Sequence, residues 1–510
     1  MKRMVSLFLI ICMLAAFCGC GTGDLEYIPT GDGLTPEDAT GPAKPPQEEK
    51  EQNITMTYYP DRSMNPYLCS DFTNRALFPL IYQGLFSTDR NYNTVPILCS
   101  RFTVSADMRT YTFYLENATF SDGTPVTADD VMASLLAAKN SQVYGGRFLH
   151  VTGIGTSADG GVTVSMDTAY ENLPILLDVP IVKAGQVAEN LPLGTGPYYP
   201  DASVGGLRLR RRTNWWCTAE FAITAATIPL VNATSATQIR DEFQFGSLDF
   251  VCADPMSDRY ADYRCDYELW DCENGNFLYI GCNEDSKIFD TAALRAALTY
   301  AIDRDALCSS FYHGFAQSAT LPASPNSPYY NDSLAKRYGY DPVKFLQAVQ
   351  AAGKEGSTMV LLVNSDDSLR LRVARAIAKN LTDCGLVVEM KELGGNAYLT
   401  ALKGRQFDLY VGQTRLSANM DLSAFFSTYG TLSYGGVDDL TAYALCLESL
   451  ANAGNYYTLH RTVMENGLLC PVLFGNYSVF VTRGVISGLQ PARDNLFFYS
   501  LGRTLADAQE

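Results

Sequence analysis

The chain has 510 residues, of which 47% are hydrophobic and 18% are charged, as in an ordinary globular protein. This length allows two or three domains. The formal net charge of −17 excludes nucleic-acid binding through phosphate contacts, which require an excess of Lys and Arg.

The first twenty residues carry the pattern of an export signal. Two basic residues, Lys2 and Arg3, precede an apolar run at residues 5–17 that is too short to span a bilayer. Gly19 then precedes Cys20, as in a bacterial lipoprotein signal. The pattern predicts a signal at residues 1–19, cleavage after Gly19, and a lipid on Cys20 that anchors the chain outside the cytoplasm. An ordinary secretory signal is the alternative.

Two details of this segment support the same prediction. Cys18 is the competing lipid site, but the bulky Phe17 precedes it, whereas a small residue precedes Cys20. Loss of Lys2 and Arg3 with the signal makes the mature chain more acidic still. Since anionic lipid would repel such a chain, the covalent lipid is the expected membrane anchor.

No later stretch is long and apolar enough to predict a transmembrane helix.

Residues 20–52 read as a disordered tether, and the globular part begins at residue 53. The segment contains five prolines among Gly, Thr and charged residues and has one aromatic residue, Tyr27, so it cannot bury enough surface to fold. Alternation then predicts strands at residues 55–59 and 111–115, and a short apolar run predicts a helix at 74–82. Thr127, with Asp130 three residues later, predicts the N-terminus of another helix.

The second half of the chain predicts further α/β structure. A helix capped by Asp290 or Thr291 should run to Ile302, because apolar residues recur at helical spacing. Two strands flanking a helix predict a βαβ unit, and another strand follows. The predicted ranges are residues 358–363 (strand), 368–381 (helix), 385–390 (strand) and 407–411 (strand).

The sequence shows none of the common catalytic or metal-binding motifs. Nucleophile-elbow, metalloprotease, phosphate-loop and EF-hand patterns are absent, and no Cys-x-x-Cys occurs. The three histidines, His150, His313 and His460, lack metal-ligand spacing. We therefore expect no metal, no cofactor and no enzymatic activity. Eleven cysteines follow Cys20; they are expected to be buried thiols, although disulfides within residues 252–282 are the alternative.

Four segments, in order along the chain, resemble motifs of one family. They are residues 120–131 (FSDGTPVTADDV), 194–198 (GTGPY), 212–216 (RTNWW) and 294–304 (LRAALTYAIDR). The family is the family 5 extracytoplasmic solute-binding proteins, the oligopeptide- and dipeptide-binding lipoproteins of bacterial ABC importers. With smaller similarities, the resemblance covers about residues 53–490.

The resemblance implies the fold, the partners and the function. The fold would be α/β, a two-lobed periplasmic-binding-protein-like fold (type II) with mixed sheets and a ligand cleft between lobes. Residues 53–279 with 475–510 would form lobe I, and residues 280–474 lobe II. The protein would be a monomer that captures a peptide or peptide-like solute and delivers it to ABC permease subunits. The alternatives are a sensory peptide-binding lipoprotein and a lipoprotein hydrolase.

The resemblance also places candidate ligand-binding residues. Two glycines let a backbone approach another surface closely, so Gly194, Thr195, Gly196 and Tyr198 are expected to line the cleft.

The clearest departure from the family's pattern follows residue 411. Peptide-binding members carry Gly-Trp and then an Asp that pairs with the peptide's ammonium. Here Gln413 replaces the Trp, no Asp stands at the expected position, and Asp421 matches a later acid. We therefore expect a ligand without an ammonium anchor, contacted by Gln413 and Arg415, whose guanidinium suits a carboxylate or phosphate. A structural role for Arg415 is the alternative. Asp303 and Arg304 are expected to form a local ion pair.

Overall fold

The computed structural model describes residues 52–202, 206–253, 263–436 and 439–510. The predicted signal, the lipid site Cys20 and the tether up to residue 51 lie outside the described residues. Gln52 is hydrogen-bonded to the folded part: its amide nitrogen donates to Val485 O at 2.6 Å, and its amide oxygen accepts from Thr224 N at 2.6 Å. Within these ranges, no helix has the length and hydrophobicity needed to cross a membrane.

Strands and helices alternate along the described residues. The strands are β1 (Met56–Tyr58), β2 (Phe86–Thr88), β3 (Thr94–Pro96), β4 (Cys99–Val104), β5 (Thr110–Leu115), β6 (Val151–Thr156), β7 (Val162–Met166), β8 (Tyr198–Asp201), β9 (Arg208–Arg211), β10 (Thr227–Asn232), β11 (Phe250–Ala253), β12 (Tyr267–Cys282), β13 (Ala316–Ser318), β14 (Thr358–Asn364), β15 (Val387–Leu393), β16 (Leu409–Arg415) and β17 (Cys470–Thr482). The α-helices are α1 (Phe72–Arg75), α2 (Phe78–Ile81), α3 (Ala128–Lys139), α4 (Ala236–Gln244), α5 (Ala292–Ala297), α6 (Arg304–Tyr312), α7 (Asp332–Ala335), α8 (Pro342–Ala351), α9 (Ser368–Asp383), α10 (Gly395–Lys403), α11 (Ser423–Phe426), α12 (Leu440–Ala451), α13 (Tyr456–Glu465) and α14 (Leu505–Ala508). Short 3-10 helices are Gly145–Phe148, Leu173–Leu176, Ala184–Gln186, Leu298–Ala301, Lys336–Tyr338 and Ala453–Asn455.

The largest sheet has seven strands and is mixed. Its order is β11–β17–β12–β16–β14–β15, and β13 pairs with β17. β12 runs antiparallel to β16 and β17, whereas β14 runs parallel to both β15 and β16. Two four-stranded sheets, β1–β10–β9–β8 and β4–β5–β7–β6, and the hairpin β2–β3 lie outside it.

Two large hydrophobic clusters form the core, and β12 and β17 belong to both. One cluster is built from residues between Leu278 and Leu473. The other draws on the N-terminal part, the C-terminal part and the segment around β16. Phe277 and Phe474 pack in the second cluster, whereas their neighbours Leu278 and Leu473 pack in the first. The long strands β12 and β17 therefore connect the two cores, since successive side chains of a strand point to opposite faces.

The predicted βαβ unit is confirmed as β14–α9–β15. Asp367 begins α9 by accepting a hydrogen bond from Arg370 N at 2.8 Å. The helix then buries Leu369, Val373 and Ile377 at helical spacing against the sheet. Thr127 and Asp130 form the predicted capping box of α3. No disulfide joins the cysteines in the described ranges, and burial raises the pKa of the Cys272 thiol to about 12.

Two predicted helices are shorter than expected. In place of one helix at residues 74–82, the structure has the two four-residue helices α1 and α2, and Pro79 lies in the first turn of α2, where no N–H partner is required. The helix capped by Thr291 ends at Ala297 and tightens into a 3-10 turn. Asp303 interrupts it because its side chain caps the next helix, accepting from Ala306 N at 3.1 Å.

The prediction of a local ion pair between Asp303 and Arg304 is wrong. Arg304 is only 4% exposed and points away from Asp303, into the protein. Its guanidinium donates to the backbone carbonyls of Thr299, Ala319 and Pro471 at 3.0, 3.1 and 2.8 Å. Because those carbonyls lie on three different segments, Arg304 joins the 3-10 turn, β17 and the chain after β13.

Candidate functional site

A β-bulge in β12 shapes the candidate site. Between Glu273 and Phe277, β12 contains three residues where the paired strand β17 contains only Gly475. The extra residues include Gly275, whose φ of +76° is a left-handed conformation that glycine adopts at little cost. Bulges of this kind redirect side chains and are frequent beside binding sites. Here Asn274 and Asn276, on either side of Gly275, line a cavity.

The cavity has a volume of about 260 Å³, close to the lower end of the usual range for small-molecule sites. Its walls come from α1, α2, the segment that follows them, the bulge, the end of β16 and residues 493–499. Much of the wall is aromatic: Phe72, Phe78, Tyr82, Tyr144, Tyr477 and Tyr499. The wall also carries three guanidiniums and two carboxylates: Arg75, Arg415, Arg493, Asp178 and Asp494. Apolar rings with a few convergent charges are typical of a ligand site.

Asp494 holds several of these charges in place. Its Oδ1 lies 2.7 Å from Arg415 Nη2 and 2.8 Å from Arg147 Nη2, and its Oδ2 lies 3.3 Å from Arg493 Nε. Arg147 also pairs with Asp178. Burial alone would raise the pKa of Asp494, but the three guanidiniums around it hold that pKa well below its usual range. Asp494 is therefore ionised at neutral pH.

Arg415 is bound on two sides. Besides its contact with Asp494, its Nε donates to the backbone carbonyl of Asn274 at 2.8 Å. Burial lowers the pKa of Arg415, Asp494 raises it, and the other cavity guanidiniums lower it again. The side chain as a whole remains 31% exposed.

Comparison with known proteins identifies the family. The model described as "Bacterial extracellular solute-binding proteins, family 5 Middle" matches residues 93–436, which is more than half of the chain. The chain is a family 5 solute-binding protein. Members of this family are extracytoplasmic binding proteins that take up peptides and similar solutes together with ABC permeases.

Individual family 5 proteins resemble the chain over most of its length. The glutathione-binding protein GsiB of Escherichia coli (strain K12) is 26% identical over 440 residues, 79% of this chain and 84% of GsiB. The ABC transporter substrate-binding protein CtaP of Listeria monocytogenes has a crystal structure that matches with a TM-score of 0.71 at 18% identity, over 90% of this chain and 99% of CtaP.

A ligand-bound structure matches as well. The oligopeptide-binding protein AppA of Bacillus subtilis, in complex with a nonapeptide, gives a TM-score of 0.62 at 18% identity, over 88% of this chain and all of AppA. These likenesses confirm the predicted α/β, two-lobed fold of the family 5 type.

Of the predicted ligand-binding residues, the structure places Arg415 in the cavity wall. Gln413 lies two positions earlier on β16, opposite Leu278 of β12, and is half-buried. Gly194, Thr195, Gly196 and Tyr198 are not among the residues of the described cavity wall, but a Cβ on Gly194 would lie 2.6 Å from Tyr82 Cδ1, so the glycine loop packs directly against that wall. For the five residues outside the described cavity wall, ligand contact stays a prediction.

The glycine loop of this solute-binding protein packs against α2. A Cβ on Gly196 would lie 2.5 Å from Leu80 O, and one on Gly194 would clash with Ile81 O, so this close approach requires glycine. The carbonyl of Thr195 accepts from Arg212 Nη1, Trp215 Nε1 and Trp216 Nε1 at 3.1, 2.9 and 3.3 Å. The GTGPY and RTNWW motifs therefore dock on each other.

Tyr198 is held by the backbone. It is fully buried, and its hydroxyl donates to Ala225 O at 2.7 Å.

Asp421, the later acid of the motif region, is occupied by its own neighbours. Its Oδ1 accepts from the backbone N–H and hydroxyl of Ser423 at 2.8 and 2.6 Å, and its Oδ2 lies 3.4 Å from His150 Nε2. Burial would raise the pKa of Asp421, but these contacts lower it. The cavity wall, as far as the structure describes it, does not include Asp421.

Ser423, His150 and Asp167 stand in the order of a hydrolytic triad. His150 lies 3.3 Å from Ser423 Oγ and 3.0 Å from Asp167 Oδ1. The Ser423 hydroxyl, however, donates its hydrogen bond to Asp421, and Ser423 is 1% exposed, so it is neither activated by His150 nor reachable by substrate. The described residues also contain no group of three or more His, Cys, Asp or Glu side chains arranged to hold a metal ion.

His150 is expected to make stability depend on pH. Burial lowers its pKa, but the hydrogen bond and charge of Asp421, with the charge of Asp167, raise it above 6.5 overall. A raised pKa in the folded state stabilises fully below the unfolded value and loses that stabilisation as pH rises through the folded value. The excess free energy of unfolding of the wild type over His150→Gln should therefore be larger at about pH 6 than at about pH 9. Urea denaturation at both pH values measures it.

A matched variant tests the partner of His150. Asp421→Asn removes the strongest contribution to the raised pKa of His150. The free energy of unfolding of this variant should therefore change less between the two pH values than that of the wild type. If the stability of the wild type relative to His150→Gln increased toward alkaline pH, the raised pKa of His150 would be contradicted.

Several cavity residues escaped the sequence analysis. Gly275 within an otherwise strand-like run is a recognisable bulge signal that could have pointed to Asn274 and Asn276. Arg493 and Asp494 form a charged pair in a largely apolar C-terminal segment, which is a weaker signal. For Arg75 we find no local signal, because only the fold brings it to the cavity.

Proposed function

We propose that the protein is the extracytoplasmic substrate-binding lipoprotein of an ABC importer and captures a peptide or peptide-like solute between two lobes. The observation that carries the proposal is the cavity at the β12 bulge. Its wall combines aromatic rings with both cationic and anionic groups, and it lies on a strand that belongs to both hydrophobic cores. Such a position suits a receptor that closes around its ligand.

The names of the relatives support a peptide-like ligand. GsiB is named for glutathione, itself a peptide, and AppA was solved with a nonapeptide. The lobes are proposed at residues 53–279 with 475–510 and at 280–474. Closure would then bend β12 and β17, the strands shared by the two cores.

The ligand is proposed to bind without an ammonium anchor and to leave unchanged, without metal or catalysis. Asp421 is occupied by Ser423 and His150, while Asp178 and Asp494 face arginines. An ammonium would therefore compete with guanidiniums already in place. Ser423 offers no free nucleophile for a hydrolytic step.

Native mass spectrometry of freshly purified protein tests the function. The wild type is expected to carry a peptide-like mass or to take one up from a tripeptide mixture. Asn276→Trp should lose it, because an indole would fill the cavity that Asn276 lines. Gln347→Trp, on the exposed surface of α8, is the matched control and should bind as the wild type does. Equal uptake by Asn276→Trp would place the ligand elsewhere, and sensitivity to a chelator would contradict metal-free binding.

Cys20 is proposed to carry the lipid that holds the protein at the membrane. The expected result is that Cys20→Ser releases the protein into the soluble extracytoplasmic fraction, whereas Cys18→Ser leaves it membrane-bound. Fractionation followed by mass spectrometry of the N-terminal peptide measures both. An acylated, membrane-bound Cys20→Ser protein would show that the anchor lies elsewhere.

A further inference from the structure

Arg493 is an unsatisfied buried cation in the cavity wall. The residue is 7% exposed, and among the described residues its Nη1 has no hydrogen-bond partner. Its Nη2 donates to Leu416 O, and its Nε lies 3.3 Å from Asp494 Oδ2 without forming a hydrogen bond. A buried N–H left without an acceptor is costly, so such a group is expected to have a partner in the functional state.

The backbone is shaped to hold this guanidinium. A Cβ at position 275 would lie 2.6 Å from Arg493 Cζ and Nη2, so a larger residue there would displace the guanidinium from this position. The left-handed φ of Gly275 and the bulge around it therefore place Arg493 beside Asn274 and Asn276. Arg493 is thus held by the same distortion that forms the cavity.

Arg75 is another cation of the wall, and it lacks a counter-charge. It is half-buried, and its guanidinium lies 5.6 Å from the ring of Tyr144. Across the ranges that the structure describes, its side chain has no hydrogen bond or ion pair. Arg415 and Arg147, in contrast, are already paired with Asp494 and Asp178.

The charges around the cavity do not balance. Four guanidiniums, those of Arg75, Arg147, Arg415 and Arg493, face the carboxyl groups of Asp178, Asp494 and Glu273. Glu273 is buried and accepts hydrogen bonds from Tyr92 and Ser324. Arg147 and Arg493 are buried among these carboxyl groups, Arg415 is paired but partly exposed, and the half-buried Arg75 has no carboxyl partner. One partly buried positive charge is therefore left over, and a counter-charge beside it would be stabilising.

We propose that the ligand supplies this counter-charge: it carries a carboxylate that binds between Arg493 and Arg75. The inference rests on the proposed peptide-binding function and narrows its ligand to an anionic, peptide-like solute. Guanidinium N–H groups and carboxylate oxygens match in geometry and charge. Arg415 then acts as a positioning residue, because Asp494 and the carbonyl of Asn274 already hold it.

Two matched peptide libraries test the proposal. One contains N-acetylated tripeptides with free carboxylates, and the other contains the same sequences as C-terminal amides. The ratio of acids to amides retained by the protein is measured by mass spectrometry after size exclusion. The wild type should favour acids by at least about tenfold, since charge-assisted hydrogen bonds have that strength.

Variants assign the preference to residues. Arg493→Gln and Arg75→Gln should bring the acid-to-amide ratio toward one, and Arg375→Gln, at an exposed ion pair with Glu392, should leave it unchanged. Because Arg493 is buried, thermal unfolding checks that the variant folds. If it does not, Arg75→Gln, at a half-buried position, carries the test.

The possible failures are distinguishable. Equal retention of acids and amides by the wild type, or an unchanged ratio in Arg75→Gln and in the folded Arg493 variant, would overturn the carboxylate site and leave the peptide-binding function standing. Retention of neither library would overturn the proposed function and this inference with it.

Discussion

Replacing Asp494 by Asn is expected to lower the free energy of unfolding by about 3–5 kcal/mol, because it leaves buried guanidiniums without their shared counter-charge. Arg147 and Arg415 contact one oxygen of Asp494, and Arg493 lies beside the other. The amide of Asn keeps the shape but loses the charge. Chemical denaturation followed by circular dichroism measures the loss.

The matched control is Asp383→Asn. Asp383 pairs with Lys379 on the exposed surface of α9, and its loss should cost less than about 1 kcal/mol. The pKa of Asp494 is depressed in the folded state, so its stabilisation is present above the unfolded value of about 3.9 and is lost only as pH falls further. The difference from wild type should therefore be constant between about pH 5 and about pH 8. A difference that disappears within that window would refute an ionised Asp494.

Arg304→Lys is expected to lower the free energy of unfolding by about 1–3 kcal/mol, although the positive charge is kept. The guanidinium of Arg304 donates simultaneously to carbonyls of Thr299, Ala319 and Pro471. The ammonium of lysine is a single compact donor group at the end of a shorter side chain, so it cannot contact all three carbonyls at once. At least one buried carbonyl would be left without a donor. The midpoint of urea unfolding reports the change.

Arg375→Lys is the control for this substitution. Arg375 is exposed and pairs with Glu392 through two contacts of 2.8 Å, so exchanging it should leave the midpoint of urea unfolding nearly unchanged. Equal effects at positions 304 and 375 would show that the carbonyl contacts of Arg304 contribute little.

The parts of the fold that local patterns specify were predictable. The capping box of α3 depends on two residues that lie three positions apart. Each element of the β14–α9–β15 unit is likewise marked by the residue pattern within that element. The helix after Thr291 was predicted too long because the pattern of apolar residues continues through Ile302, while the hydrogen bond of Asp303 begins a new helix. Arg304 was misassigned because its carbonyl partners lie 15 and 167 residues away.

The candidate site was less predictable for the same reason. Arg415 was singled out because it stands in a local departure from the family motif, and it lies in the cavity wall. Its partner Asp494 is 79 residues away, and nothing in the local sequence pairs them. The unpaired charge of Arg75 and the unsatisfied N–H of Arg493 are recognisable only once their surroundings are known. Sequence motifs instead marked the scaffold, as the docking of the glycine loop on Trp215 and Trp216 shows.

The cavity joins segments from both ends of the chain. The side chain of Gln83 is hydrogen-bonded to Tyr499, which follows it by 416 residues in the sequence. Asp494, close to the C-terminus, forms an ion pair with Arg147. Because synthesis begins at the N-terminus, the cavity wall cannot be completed until residues 493–499, near the end of the polypeptide, have been made. A truncated product could form the earlier sheets and still present no finished site. Only a chain synthesised almost to its C-terminus would therefore be able to bind ligand in this cavity.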